Sequence, residues 1–269
     1  MIKRVYLEII DACNLSCPFC TLPKGASFMS FEEIKDYVKQ IKEYCSYLYL
    51  HMLGEPLLHP DFERILDLLD EEGMKLQLVS NATLLKEYPG LFEHPCLRKC
   101  SLSLHSLDHY EKQEEVLSHV RTLLESDHKC TLELRLYDRK HLSASLQAFW
   151  RELEEKYGLS PTKRRNSFQL LENTFLYEEE LFDWPDIHED VISLRGRCRG
   201  EDMLSINVHG EVTICCLDPF AQNSLGNLHE KSLRDIVSSK EYQNMIRSLR
   251  GEEELSPLCS RCRYRLRFR

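Results

Sequence analysis

Cys13-Asn14-Leu15-Ser16-Cys17-Pro18-Phe19-Cys20 sets three thiols in a Cys-x3-Cys-x2-Cys array. The array follows directly on an apolar, strand-like run at residues 5–10. A [4Fe–4S] cluster usually takes four thiolates. Three thiolates leave one iron open to an outside group, such as the amine and carboxylate of an amino acid. The alternative is zinc with a distant fourth ligand. Closed structural zinc sites take four ligands, and this spacing is unusual for them.

Downstream of the array, strand-like and helix-like segments alternate. Strands are predicted at residues 5–10, 47–53, 75–81, 99–106, 130–137 and 168–173. Helices are predicted at 31–44, 61–72, 110–125 and 144–157, with a shorter one at 84–92. In the first helix Ile34, Val38 and Ile41 recur at helical spacing, and Ser30 with Glu33 forms a capping-box pattern. The second ends at Gly73. Such alternation implies a parallel sheet with right-handed crossovers, either a barrel or an open doubly wound sheet. Residues 176–197, with the charge run Glu178–Glu180 and Trp184-Pro185, read as a bridge. Beyond it, 204–208 and 211–215 flank His209-Gly210 as a hairpin, and 232–249 reads as a helix.

Composition narrows the function classes. A formal net charge of −9 disfavours nucleic acid as a partner. No run of about 18 apolar residues appears, so no membrane span is expected. There is no signal-peptide pattern either, which makes the cytoplasm the expected compartment. In a reducing compartment the 12 cysteines are not expected as disulfides. Cys45, Cys96, Cys100 and Cys130 sit in apolar patterns and are expected as small core residues.

The cysteine array resembles that of the radical S-adenosylmethionine (SAM) family. Leu53-Gly54-Glu55-Pro56 is similar to the family's Gly-Gly-Glu-Pro motif, with Leu53 in place of the first glycine. The resemblance covers residues 4–175 and implies a partial (β/α)6 TIM-type barrel, an α/β fold. It implies Cys13, Cys17 and Cys20 as cluster ligands. Glu55, presented by Gly54, would meet the SAM ammonium, and Phe19 would lie near the adenine. Ser80 and Asn81, then Ser103 and Arg135, are further candidate contacts to the sugar and carboxylate. Ligands in such barrels sit at the C-terminal ends of the strands, where Cys13, Glu55 and Asn81 fall.

Side chains alternate across a strand, and one face of these strands is unusually polar. Glu8, His51, Gln77, Ser101, Ser103, His105, Glu133, Arg135 and Tyr137 all alternate with apolar residues. A packed interior tolerates such groups only when they are paired. Either Glu8, Glu133 and Arg135 form a structural network, or the face lines a cavity for SAM and a small polar substrate. On the second reading Glu8, His51, His105, Glu133 and Tyr137 are candidate substrate contacts.

A second cysteine set, Cys198, Cys215 or Cys216, Cys259 and Cys262, resembles the auxiliary-cluster modules called SPASM and twitch. Gly210-x4-Cys215 matches the module's turn, and the cysteines suffice for one further [4Fe–4S] cluster, as in a twitch module. Cys216 remains an alternative to Cys215, since on a strand the two would point opposite ways. A zinc ribbon is the other reading of Cys-x2-Cys. The expected organisation is a barrel at 1–175, a bridge at 176–197 and the auxiliary module at 198–269. The alternating arginines Arg261, Arg263, Arg265, Arg267 and Arg269 read as a solvated edge or a lid over a carboxylate. Otherwise they would dock an acidic reducing partner such as flavodoxin or ferredoxin.

The resemblance implies reductive SAM cleavage to a 5′-deoxyadenosyl radical and hydrogen abstraction from a small molecule bearing hydroxyls or an amine. The compact chain resembles the queuine lyases, which cut queuine to 7-aminomethyl-7-deazaguanine in queuosine precursor salvage. Oxidation of an aminocyclitol-like alcohol and modification of a ribosomal peptide are the alternatives. Only 12 residues precede Cys13, which argues against a fused peptide-recognition domain. An iron–sulfur electron carrier without catalysis would have no need of Gly54-Glu55-Pro56 or Asn81.

Overall fold

The computed structural model describes residues 2–21, 27–162, 166–181 and 183–268. Five strands succeed one another in parallel: β1 (Arg4–Leu7), β2 (Tyr47–Tyr49), β3 (Lys75–Ser80), β4 (Leu97–Ser103) and β5 (Thr131–Arg135). Four helices follow: α1 (Phe31–Lys42), α2 (Phe62–Glu71), α3 (Gln113–Glu125) and α4 (Ala144–Tyr157). The capping box forms as expected. The Ser30 N–H donates to Glu33 Oε2 at 2.8 Å and the Glu33 N–H to Ser30 Oγ at 3.3 Å, an arrangement worth about 1 kcal/mol. Ile34, Tyr37, Val38 and Ile41 are buried on one face of α1, and Ile65, Leu66 and Leu69 on one face of α2. They meet Leu48, Leu76 and Leu78 from the sheet. Cys45, Cys96, Cys100 and Cys130 are buried core residues.

The sixth parallel strand is not the expected one. After α4 the chain forms β6 (Ser160–Pro161) and β7 (Ser167–Leu171), turns at Glu172-Asn173, and returns as β8 (Thr174–Tyr177). β8 pairs in parallel with β5, whereas β7 runs antiparallel on its far side. The expected strand at 168–173 is therefore the outer arm of a hairpin. The barrel sheet runs past residue 175, because Thr174, Leu176 and Tyr177 bring the buried side chains.

The C-terminal strands β9 (Met203–Ile206), β10 (Glu211–Thr213) and β11 (Gly226–Asn227) extend the same sheet. β9 pairs in parallel with β1, which places the auxiliary module against the strand that precedes the cysteine array. The hairpin turn sits at 207–210, with Gly210 at φ +77° and Asn207 Oδ1 accepting from the His209 and Glu211 N–H groups.

Two helices expected from periodicity differ. Residues 84–92 make two short 3-10 turns, Leu85–Glu87 and Leu91–Glu93. Pro89 disfavours helical backbone at Tyr88, which lies at φ −122° and ψ 63°. Residues 232–249 divide into α5 (Leu233–Ser238) and α6 (Lys240–Leu249). Ser239 leaves helical geometry, and its Oγ accepts from the Tyr242 N–H at 3.1 Å to cap α6. Among the described residues no helix is long and apolar enough to cross a membrane.

Candidate active site

A cavity of about 460 Å³ opens at the C-terminal ends of β1–β5. Cys13, Cys17, Phe19 and Cys20 border it from the loop after β1. His51, Gly54 and Glu55 enter from the loop after β2, and Ser80 and Asn81 from the end of β3. Ser103 ends β4 and His105 follows it, and Arg135 and Tyr137 close the far wall. These thirteen positions meet because parallel strands end on one side.

Gly54 sets the spacing between the first two loops. It lies at φ +71°, and a Cβ there would be 2.3 Å from the Ile10 carbonyl oxygen and 3.0 Å from that of Ala12. The Glu55 N–H donates to the Ala12 carbonyl at 2.8 Å. Glu55 is buried, and its two oxygens accept from the Leu57 N–H at 3.2 Å and the Asn81 N–H at 2.7 Å. Burial pushes its carboxyl up to about 7 against the opposing pull of those donors. Asn81 Nδ2 donates to Asn14 Oδ1 at 2.9 Å and lies 3.8 Å from Cys13 Sγ. Asn14 and Thr83 complete that network, with Ala82 held at φ +69°, a conformation costing about 1 kcal/mol for a residue with a Cβ.

The Leu15 N–H reaches Cys13 Sγ at 3.4 Å. Trp184 Nε1 donates to the Phe19 carbonyl at 3.1 Å, so the bridge pins the cysteine loop and helps roof the cavity with Leu181. Trp184 lies in the stretch expected only as a bridge. A large aromatic side chain within a charged stretch was the available signal for a buried contact.

Two neutral imidazoles line the cavity. Burial and the neighbouring Arg135 push His51 down to about 3, and burial pushes His105 down to about 4. His51 packs edge-on against Tyr6 and Tyr49, and its Nδ1 is buried without a hydrogen-bond partner among the described residues. His105 stacks on Tyr137 with ring centroids 4.6 Å apart and lies near Phe19 at 5.3 Å.

Two expected substrate contacts lie elsewhere. Glu133 is under the cavity floor and does not line it. It accepts from Ser101 Oγ at 2.7 Å, pairs with Lys99, and meets Arg135 Nη2 at 3.3 Å. Those cations hold its carboxyl below the usual range in spite of burial. Glu8 is likewise off the cavity, with Oε1 accepting from the Leu53 N–H at 3.0 Å and Oε2 from the Val208 N–H at 3.2 Å. It ties the loop after β2 to the C-terminal hairpin. The polar strand face is thus divided between a paired structural layer and the cavity above it.

Cys198, Cys215, Cys259 and Cys262 converge on a second, small cavity. Their sulfurs face donors: the Gly200 N–H to Cys198 and the Leu217 N–H to Cys215, both at 3.4 Å, and Asn223 Nδ2 near Cys259 at 3.9 Å. Backbone N–H groups of Tyr264 and Arg265 serve Cys262. Four half-buried cysteines whose sulfurs face donors suit thiolates bound to an iron–sulfur cluster. Cys216 does not line this cavity; its thiol contacts the Cys215 thiol and Tyr6. β10 ends at Thr213, so the two cysteines lie in a turn and strand alternation does not govern which way they point.

The arginine tail is not a uniform solvated edge. Arg263 is exposed, Arg261 donates to the Glu189 and Pro257 carbonyls, and Arg267 pairs with Glu179. Arg265 is buried, and Arg269 lies outside the described residues.

Comparisons with known proteins bear on both cavities. Residues 7–134 match the Radical SAM superfamily, and residues 198–263 match SPASM, an iron–sulfur cluster-binding domain. GTP 3′,8-cyclase of Aquifex aeolicus (strain VF5) is 31% identical over 125 residues, 43% of this chain and 39% of that protein. 7-carboxy-7-deazaguanine synthase of the same organism is 29% identical over 93 residues, 34% and 42% respectively. The chain thus spans about two-fifths of the length of these curated relatives. The structure of BtrN in complex with AdoMet and 2-DOIA shares the fold over 98% of this chain and 93% of that one, with a TM-score of 0.57 at 15% identity. The chain thus carries a Radical SAM domain and a SPASM domain, so its cofactors are a SAM-binding [4Fe–4S] cluster, SAM itself and an auxiliary iron–sulfur cluster.

Proposed function

We propose that the chain acts on a small, planar, polar substrate, and that the substrate is queuine, cleaved to 7-aminomethyl-7-deazaguanine. The observation that carries the substrate class is the His51 imidazole. It is neutral, its Nδ1 is buried without a partner among the described residues, and it borders the same cavity as the three cysteines. With Nδ1 buried, Nε2 is the ring nitrogen open to a ligand in the cavity. The Phe19, His105 and Tyr137 rings offer faces for a heteroaromatic ring, and Arg135 offers a fixed cation. The matched stretch of 7-carboxy-7-deazaguanine synthase supports trying a deazaguanine first.

In this reading Cys13, Cys17 and Cys20 hold the first cluster, and Glu55, Ser80, Asn81 and Ser103 hold SAM. Those two groups supply a carbon radical that abstracts hydrogen. The chain's own work is positioning and exclusion of water. Arg135 is anchored to Ser101 Oγ at 3.0 Å and presents the rest of its guanidinium to the cavity. His51 and His105 do not charge near neutral pH, so they orient a substrate by hydrogen bonding and leave the site's net charge unchanged. Trp184, Leu181 and Phe19 shield the reacting region from water.

The test is anaerobic incubation of reconstituted enzyme with dithionite, SAM and queuine, followed by mass spectrometry. 7-aminomethyl-7-deazaguanine and 5′-deoxyadenosine should both appear. SAM cleavage stimulated by an aminocyclitol and not by queuine would replace this substrate with the alcohol reading.

A further inference from the structure

Among the described residues, the auxiliary cavity contains a cation without a counter-ion. Arg265 is 2% exposed, lines the cavity of Cys198, Cys215, Cys259 and Cys262, and has Nε and Nη2 buried without a partner among the described residues. A guanidinium keeps its charge at any working pH. Burying such a charge is costly unless an anion accompanies it. The cavity's one carboxylate, Asp218, is already engaged: its oxygens accept from the Gln222 and Asn223 N–H groups at 2.8 Å each. The chain also makes room for the guanidinium. Gly196 lies at φ +152°, and a Cβ there would be 2.2 Å from Arg265 Nη1. Backbone two residues before Cys198 is therefore bare where the arginine head packs.

Four thiolates around a [4Fe–4S]2+ core leave a net charge of −2, and one-electron reduction makes it −3. We infer that Arg265 is the counter-ion of the auxiliary cluster and stabilises its reduced state over its oxidised state. Charge and hydrogen bonding near the sulfurs are the protein's levers on cluster potential. The inference depends on the cluster in the SPASM-type module. It is independent of the queuine reading, so either can fail alone.

The test uses the full-length chain with Cys13, Cys17 and Cys20 changed to Ala, which leaves the auxiliary cluster as the sole chromophore. Its potential is read by dye-mediated titration with dithionite, the donor of the single electron. Arg265→Met should shift the reduction equilibrium about tenfold toward the oxidised form, or about 59 mV for one electron. Arg265→Lys should shift it less. A shift below threefold in Arg265→Met, or an equal shift in Arg265→Lys, overturns the inference. If Arg265→Met fails to load, iron and sulfide content decides. Parent-level loading in Arg265→Lys supports the counter-ion role, and equal loss in both variants overturns it.

Discussion

Replacing Gly54 by alanine should cripple the enzyme while leaving most of the fold in place. The added Cβ would lie 2.3 Å from the Ile10 carbonyl oxygen, where ordinary contact begins near 3.4 Å. The Ile10–Ala12 backbone must therefore move by about 1 Å relative to residue 54. That shift strains the 2.8 Å bond from the Glu55 N–H to the Ala12 carbonyl, a bond worth about 1 kcal/mol. Left-handed backbone at an alanine adds about 1 kcal/mol more. The expected destabilisation is about 2–4 kcal/mol by these terms together. Cys13 follows Ala12 directly, and misplacement of about 1 Å in a reacting constellation can cost on the order of a hundredfold in rate. Thermal melting, iron content and 5′-deoxyadenosine formation would be measured on the same reconstituted preparation. Near-parental turnover with full iron content would refute the claim that this close approach sets the cysteine loop.

Three further outcomes follow from named contacts. Cys215→Ala should lose the auxiliary cluster's share of iron and sulfide, whereas Cys216→Ala should keep it; the reverse pattern would overturn the ligand assignment. Glu8 is an acid raised by burial to about 7 from an ordinary value of 4.5, so between those pH values the folded chain keeps a proton that the unfolded chain releases. Its contribution to stability therefore falls as pH rises through that window, by at most about 1.4 kcal/mol per pH unit. Glu8→Gln should flatten the melting-temperature profile between pH 5 and 7, at a constant cost of about 1 kcal/mol for one lost N–H acceptor; an unchanged slope would remove Glu8 from the account. His51→Ala should leave cluster content intact and weaken substrate-dependent SAM cleavage at least tenfold, while Glu133→Gln should act mainly on melting temperature. Equal effects of the two on turnover would undo the division between cavity wall and buried layer.

The local codes along the chain were legible before any coordinates. The Cys13–Cys20 spacing, the capping box at Ser30 and the alternation of five strands with helices all depend on neighbours a few residues apart. Periodicity also marked one strand face as polar. Its failures came where a short-range signal was ambiguous. Residues 168–173 and 174–177 both carry strand-forming side chains, and only pairing with β5 selects the second. The run 232–249 keeps its helical period across Ser239, but the hydroxyl can cap a new helix there.

Tertiary structure decided how the polar face is used. Glu133 and His51 look equivalent as strand residues. One is surrounded by Lys99, Ser101 and Arg135, and the other borders the cavity with a buried Nδ1 that has no partner among the described residues. Glu8 was assigned to structure by Val208, a residue 200 positions away. Arg265 went from a member of a basic tail to a buried cation beside four sulfurs for the same reason. Burial and partners are set by which distant segments meet, and the free energy of a charged or polar group depends more on that meeting than on its own identity.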